Sequence, residues 1–96
     1  MRKLLTRVAL SMTTLVFLIP AAAHAADPAF CQAYAQAAIN QVRGGLSNPG
    51  CAGGMQGTRW SPDLRVHYSW CLTQPPPAVE SERAARTGYL RACRGM

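Results

Sequence analysis

The residues best suited to chemistry lie in one stretch, residues 57–71, which contains both tryptophans and His67. Histidine is the usual general base near neutral pH, so His67 is the one candidate for that role in this stretch. A general base needs a nucleophile or an acid within reach, and no Gly-x-Ser-x-Gly or comparable nucleophile motif occurs in the sequence. Leu64 and Cys71 would share a helical face with His67, which favours a packed, hydrogen-bonded histidine. We therefore expect no enzymatic activity, with a small enzyme or inhibitor that uses His67 as the alternative.

Three acidic residues offer a second route to catalysis. Asp63, Glu80 and Glu82 could supply the pair of carboxylates that glycoside hydrolysis requires. Each also has an ordinary structural role, Asp63 in the first turn of a helix and Glu82 in an i,i+4 surface pair with Arg86. We expect these structural roles.

Aromatic and arginine side chains form the candidate recognition surface. Flat rings stack on sugar rings, arginine donates to hydroxyl or acidic groups, and both residue types are enriched at binding hot spots. A domain this small also needs large side chains to fill its core. Trp60 and Trp70 are therefore either core or surface residues, and a purely structural domain is a further alternative. The candidate binding residues are Arg59, Trp60, His67, Tyr68 and Trp70.

The four cysteines lie at positions 31, 51, 71 and 93, with no Cys-x-x-Cys pair among them. An even number of cysteines in a short exported chain predicts two disulfides. The ligands of structural zinc usually come in close pairs, so we expect no metal, and nothing in the sequence calls for another cofactor.

Three helices must position these residues, at about residues 28–43, 61–72 and 77–93. Asp27 and Pro28 form a helix start, and Ser61 with Pro62 forms another. Gly44 and Gly45 are expected to end the first helix through a left-handed cap, and the prolines at 75–77 to end the second. A glycine-rich loop over residues 44–60 joins the first two helices.

Helix direction selects one of the three possible cysteine pairings. If the helices run up, down and up, Cys31 and Cys71 meet at one end, and Cys51 and Cys93 at the other. A rival Cys71–Cys93 bond would have to span a helix of about 16 residues, roughly 24 Å long. A disulfide joins Cα atoms within about 7 Å. We therefore favour Cys31–Cys71 and Cys51–Cys93.

The amino-terminal residues have the pattern of an export signal. Arg2, Lys3 and Arg7 precede an apolar run over residues 8–19, and Ala-His-Ala at 23–25 is a small-x-small cleavage site. The apolar run is too short to cross a bilayer core of about 30 Å as a helix. We predict a signal peptide at residues 1–25, a mature helical domain at residues 26–96, and no stable membrane insertion after cleavage.

Cleavage also changes the charge. The whole chain carries a net charge of +6, whereas residues 26–96 hold seven arginines against four acidic residues, a net charge of +3. Without lysine clusters this is a weak basis for binding nucleic acid, so we expect none. An envelope protein or a glycan is the expected partner.

Three parts of the sequence combine cysteine with aromatic or charged residues at fixed spacing. They read Cys-x-x-Tyr-Ala-x-x-Ala at residues 31–38, Gly-x-Arg-Trp-Ser-x-Asp-x-x-x-His-Tyr-x-Trp-Cys at 57–71, and Glu-x-x-x-Arg-x-x-x-Leu-x-x-Cys at 82–93. Together with Cys51 the arrangement resembles a short secreted bacterial segment that occurs singly or in tandem. The resemblance covers nearly all of residues 26–96 and implies a domain located in the cell envelope. It implies no activity, ligand or functional residue.

The sequence thus predicts an all-α, disulfide-stapled three-helix domain. Its predicted role is that of a periplasmic or secreted non-enzymatic interaction module of the bacterial envelope.

Overall fold

The computed structural model describes residues 24–94, and they fold into α-helices and one 3₁₀ turn. The predicted signal peptide, residues 1–25, lies outside the described residues except for its last two positions. No strand occurs between residues 24 and 94, and the predicted all-α fold is confirmed. The helices are α1 (Pro28–Leu46), α2 (Pro49–Ala52), α3 (Leu64–Cys71) and α4 (Pro76–Arg94), with the 3₁₀ turn Thr58–Trp60 between α2 and α3.

Helix α1 begins as predicted and ends later. The Asp27 side chain caps it by accepting a hydrogen bond from the Phe30 amide at 2.8 Å. The helix continues through Gly44 and Gly45, and its carboxyl-terminal cap is Ser47 in right-handed geometry, so the predicted left-handed glycine cap is wrong. Gly45 is buried against Met55 and Leu90, because a position without a Cβ lets both side chains approach the helix closely.

The predicted loop over residues 44–60 is more helical than its glycine content predicts. Asn48 caps the short helix α2, with Pro49 in its first turn, and α2 carries Cys51. Gly57, at a φ of 91°, adopts the left-handed region just before the 3₁₀ turn. The predicted loop therefore contains two short helical segments, α2 and the 3₁₀ turn.

The other two helices begin at residues different from those predicted. The amino-terminal cap of α3 is Asp63, which accepts from the Arg65 amide at 2.9 Å, and not Ser61. The Ser61 hydroxyl instead accepts from the Asp63 amide at 3.0 Å, forming a turn ahead of the helix. Helix α4 begins at Pro76, since proline is tolerated in a first turn.

The disulfides join Cys31 to Cys71 and Cys51 to Cys93, with Cα atoms 5.6 Å and 5.0 Å apart. The first bond places the start of α1 beside the end of α3, so these two helices run in opposite directions. The second holds the α2 loop against the end of α4. Both favoured pairings and the up-down-up arrangement are confirmed.

The core consists of two apolar clusters, one around each disulfide. Tyr34, Ala38 and Val79 pack around Cys31–Cys71. Val42 lies in the other cluster, around Cys51–Cys93, with Met55, Trp60 and Leu90. Two polar side chains, His67 and Arg86, are also buried within the bundle. None of the helices in residues 24–94 has the length and apolarity needed to cross a membrane.

Candidate functional site

A cleft of about 250 Å³ opens between α1, α3, α4 and the 3₁₀ turn. Its walls combine aromatic and apolar side chains with three charged groups. The lining residues are Tyr34, Thr58, Arg59, Val66, His67, Trp70, Glu82 and Arg86.

Arg86, fully buried, forms the inner wall of the cleft. Its Nε donates to Gln41 Oε1 at 2.7 Å, and its Nη2 donates to the Tyr34 hydroxyl at 2.8 Å. The third nitrogen, Nη1, is buried and has no hydrogen-bond partner among residues 24–94. Glu82 Oε2 lies 3.9 Å from Nη1, beyond hydrogen-bonding distance.

Glu82 is held by a different arginine. Arg59 Nε and Nη2 donate to its two carboxylate oxygens at 2.7 Å and 3.1 Å, a bidentate pair. This hydrogen bonding raises the pKa of the Arg59 guanidinium. The Arg59 side chain is 46 % exposed and that of Glu82 22 %, so the pair forms the outer rim of the cleft. One carboxylate therefore serves two guanidinium groups, and the cleft carries a net positive charge.

His67 lies between α3 and the turn that precedes it. The imidazole is buried, and its Nε2 lies 2.7 Å from the Ser61 carbonyl oxygen. A carbonyl oxygen only accepts, so Nε2 must carry the proton of this bond. The histidine thus ties the turn at residue 61 to the first half of α3.

Aromatic rings form the side of the cleft nearest the Cys31–Cys71 disulfide. The Trp70 ring lies 6.0 Å from that of Tyr34, tilted by 41°. Tyr34 also has Arg86 Cζ 5.1 Å and Arg83 Cζ 5.8 Å from its ring centroid, within the range of cation–π attraction. Trp70 is only half-buried.

No family model, no curated protein and no solved structure matches this chain. The function of the cleft must therefore be inferred from the residues that line it.

The structure brings three of the five predicted binding residues together. Arg59, His67 and Trp70 all line the cleft. Trp60 instead packs in the core with its ring 5.1 Å from that of Tyr89, and Tyr68 packs against the cluster around Cys31–Cys71. The question of core or surface thus has a different answer for each tryptophan, with Trp60 in the core and Trp70 partly open to the cleft.

Sequence reasoning missed Tyr34, Glu82 and Arg86 as members of the site. It placed Glu82 and Arg86 in an i,i+4 surface pair. Glu82 Oε2 does lie 3.9 Å from Arg86 Nη1, but the surface position is wrong because Arg86 is buried, and the hydrogen bonds of Glu82 go to Arg59. The available signal was the position of Arg86 on the same helical face as Val79 and Leu90.

Metal-binding groups do not assemble in the described part of the chain. No group of three or more histidine, cysteine or acidic side chains in residues 24–94 could hold a metal ion. All four cysteines are oxidised in the two disulfides.

Proposed function

We propose that this chain is a non-enzymatic interaction module of the bacterial envelope, periplasmic or released, whose binding site is the cleft. The observation that carries the proposal is the convergence of Arg59, His67 and Trp70, from the 3₁₀ turn and α3, on one cleft. Concave sites with mainly apolar walls and a few converging polar groups are the usual form of small-ligand sites.

The hydrogen bonds of the cleft favour binding over catalysis. The Nε2 of His67 is engaged by the Ser61 carbonyl, and both oxygens of Glu82 accept hydrogen bonds from Arg59. A general acid or base has to be within hydrogen-bond reach of the substrate atom it serves. The two groups best suited to proton transfer are here used to hold the fold and the rim.

Two observations support export and cleavage near Ala25. The disulfides fit an oxidising compartment. Ala26 is buried and its nitrogen donates to the Gln74 carbonyl at 2.7 Å, whereas Ala25 is exposed. Packing of the domain therefore begins at the first residue of the predicted mature chain. We expect intact-mass analysis of the exported protein to give a chain that begins at Ala26, whereas a retained amino terminus would contradict the predicted signal peptide.

The binding proposal is tested with amide NMR spectra of the labelled, oxidised domain. Bacterial envelope extract is separated into protein, glycan and small-molecule fractions, and each is added in turn. We expect one fraction to shift the signals of Arg59, His67 and the Trp70 indole.

A matched pair of variants localises the effect. Val66→Phe fills the cleft, whereas Leu64→Phe enlarges another half-buried residue of α3 that does not line it. The shifts should persist in L64F and disappear in V66F. Shifts that survive V66F, or no shifts with any fraction, would overturn a binding role for the cleft.

A further inference from the structure

Arg86 has a hydrogen-bonding capacity that the described protein does not use. Buried charged donors are nearly always satisfied, and leaving one unpaired costs more than leaving a neutral group unpaired. The Nε and Nη2 of Arg86 are satisfied by Gln41 and Tyr34, while Nη1 has no hydrogen-bond partner among residues 24–94. Glu82 Oε2, 3.9 Å from Nη1, belongs to the wall of the cleft, so the unused donor lies directly behind that wall.

The charges around the cleft indicate which acceptor would suit this donor. Arg59 and Arg86 share the single carboxylate of Glu82, and only Arg59 makes hydrogen bonds to it. A fully buried guanidinium that lacks a directly bonded counter-charge is best stabilised by an anionic oxygen acceptor. A neutral acceptor would satisfy Nη1 and leave the excess positive charge in place.

The size and walls of the cleft restrict the rest of the ligand. A volume of about 250 Å³ lies below the usual range of about 300–1,000 Å³ for drug-sized molecules. It suits a single ring or a body of similar size. Val66 and the rings of Tyr34 and Trp70 offer apolar contact for such a body.

We propose that the cleft binds a small monocarboxylate with a ring-sized body, and that Arg86 Nη1 donates to its carboxylate. This inference rests on the proposed function, since it names the ligand class of the same cleft. The Glu82 side chain is hydrogen-bonded to Arg59, which is half-exposed. The ligand oxygen reaches Nη1 when the Glu82 side chain shifts aside. Glu82 is therefore an internal competitor of the ligand carboxylate.

The competitor role gives a test in which the variant gains affinity, an outcome that misfolding does not produce. Glu82→Gln removes the competing charge, and Glu80→Gln is the matched control because Glu80 is an exposed acid of the same helix, paired with Arg83. The probes are two acids, phenylacetate and glucuronate, each compared with its neutral amide. Affinities are measured by NMR titration of the oxidised domain. The two acids distinguish an aromatic body from a sugar body.

We expect the wild-type domain to bind one of the acids about ten-fold more tightly than its amide, the range of a charge-assisted hydrogen bond. E82Q should bind that acid about three- to ten-fold more tightly than the wild type, with E80Q unchanged. Equal affinity for acid and amide, no binding of either acid, or an E82Q affinity no higher than that of E80Q would overturn the inference. If an amide binds in the cleft as well as its acid does, the carboxylate assignment fails while the binding role stands.

Discussion

Arg86 is a buried side chain that connects α4 to α1 and borders the cleft. It joins Gln41 and Tyr34 of α1 to α4 by hydrogen bonds of 2.7 Å and 2.8 Å, and it closes the inner wall of the cleft. Replacing it by methionine keeps an unbranched apolar stem but removes the guanidinium, so both partners lose their donor. We expect Arg86→Met to lower the free energy of unfolding by about 2–4 kcal/mol, measured by urea denaturation of the oxidised protein.

Arg83→Met is the matched control, because Arg83 lies on the same helix and its ion pair with Glu80 is exposed. Surface pairs of this kind contribute little, and the Arg83 guanidinium lies at the outer limit of cation–π attraction to Tyr34, at 5.8 Å. R83M should therefore change the stability by no more than about 1 kcal/mol. Equal effects of R86M and R83M would mean that the buried network does not stabilise the bundle.

We expect His67 to have a structural role, so that loss of its hydrogen bond lowers the stability of the domain. The Nε2 contact with the Ser61 carbonyl connects α3 to the turn ahead of it, and the side-chain amide of glutamine can place a donor near the same point. We expect His67→Gln to retain most of the stability and His67→Leu to lose about 1–3 kcal/mol, because the carbonyl loses its donor. Thermal denaturation followed by circular dichroism measures both. A leucine variant as stable as the wild type would contradict this role.

The burial of Arg86 shows where sequence reasoning stops. Its position on the face of Val79 and Leu90 is visible in the sequence and indicates a core position. Its partners Tyr34 and Gln41 lie 52 and 45 residues away along the chain, and only the fold brings them together. The partner visible in the sequence was Glu82 at i,i+4, and an arginine in such a pair is ordinarily assigned to the surface because arginine is rarely fully buried.

Helix α1 carries two adjacent glycines with opposite surroundings. A Cβ at Gly44 would meet nothing within 4 Å, whereas one at Gly45 would lie 2.6 Å from Met55 and 2.8 Å from Leu90. Gly44→Ala should therefore raise the free energy of unfolding by up to about 1 kcal/mol, through helix propensity alone. Gly45→Ala should lie at least about 1 kcal/mol below G44A, because side chains of the cluster around Cys51–Cys93 must move.

Urea denaturation of the two alanine variants compares them directly, and each controls for the propensity change in the other. The opposite order of stability, or no difference, would show that α4 and the α2 loop do not depend on the close approach at Gly45.

The helices themselves were predictable, and their ends were less so. Asp27 and Pro28 identified the start of α1, and the prolines near residue 75 separated α3 from α4. The pair Gly44 and Gly45 is typical of a helix end, yet α1 continues to Leu46, with Gly45 packed closely against Met55 and Leu90. Ser61 and Asp63 are both good caps, and their competition was decided by the turn that the Ser61 hydroxyl closes.

The disulfides act on the whole molecule, and their pairing followed from helix direction alone. They join residues 40 and 42 positions apart, and a domain of this size buries a small core of the kind that usually needs such links. In the chain-entropy model each loop contributes roughly 4 kcal/mol, and less than twice that together because the loops overlap. This is comparable with a typical total stability of about 5–15 kcal/mol.

We expect removal of the first disulfide to destabilise the whole bundle and removal of the second to destabilise mainly the α2 loop. The Cys31→Ala, Cys71→Ala variant loses the bond between the start of α1 and the end of α3, so amide hydrogen exchange should accelerate throughout the bundle. The Cys51→Ala, Cys93→Ala variant releases mainly the α2 loop, whose residues 47–60 should exchange fastest while α1 and α3 stay protected.

Full reduction of the wild type should abolish most of the helical circular dichroism signal, because both constraints on the unfolded chain are lost. A reduced protein that keeps its helicity and its exchange protection would show that the apolar clusters suffice to hold the helices together.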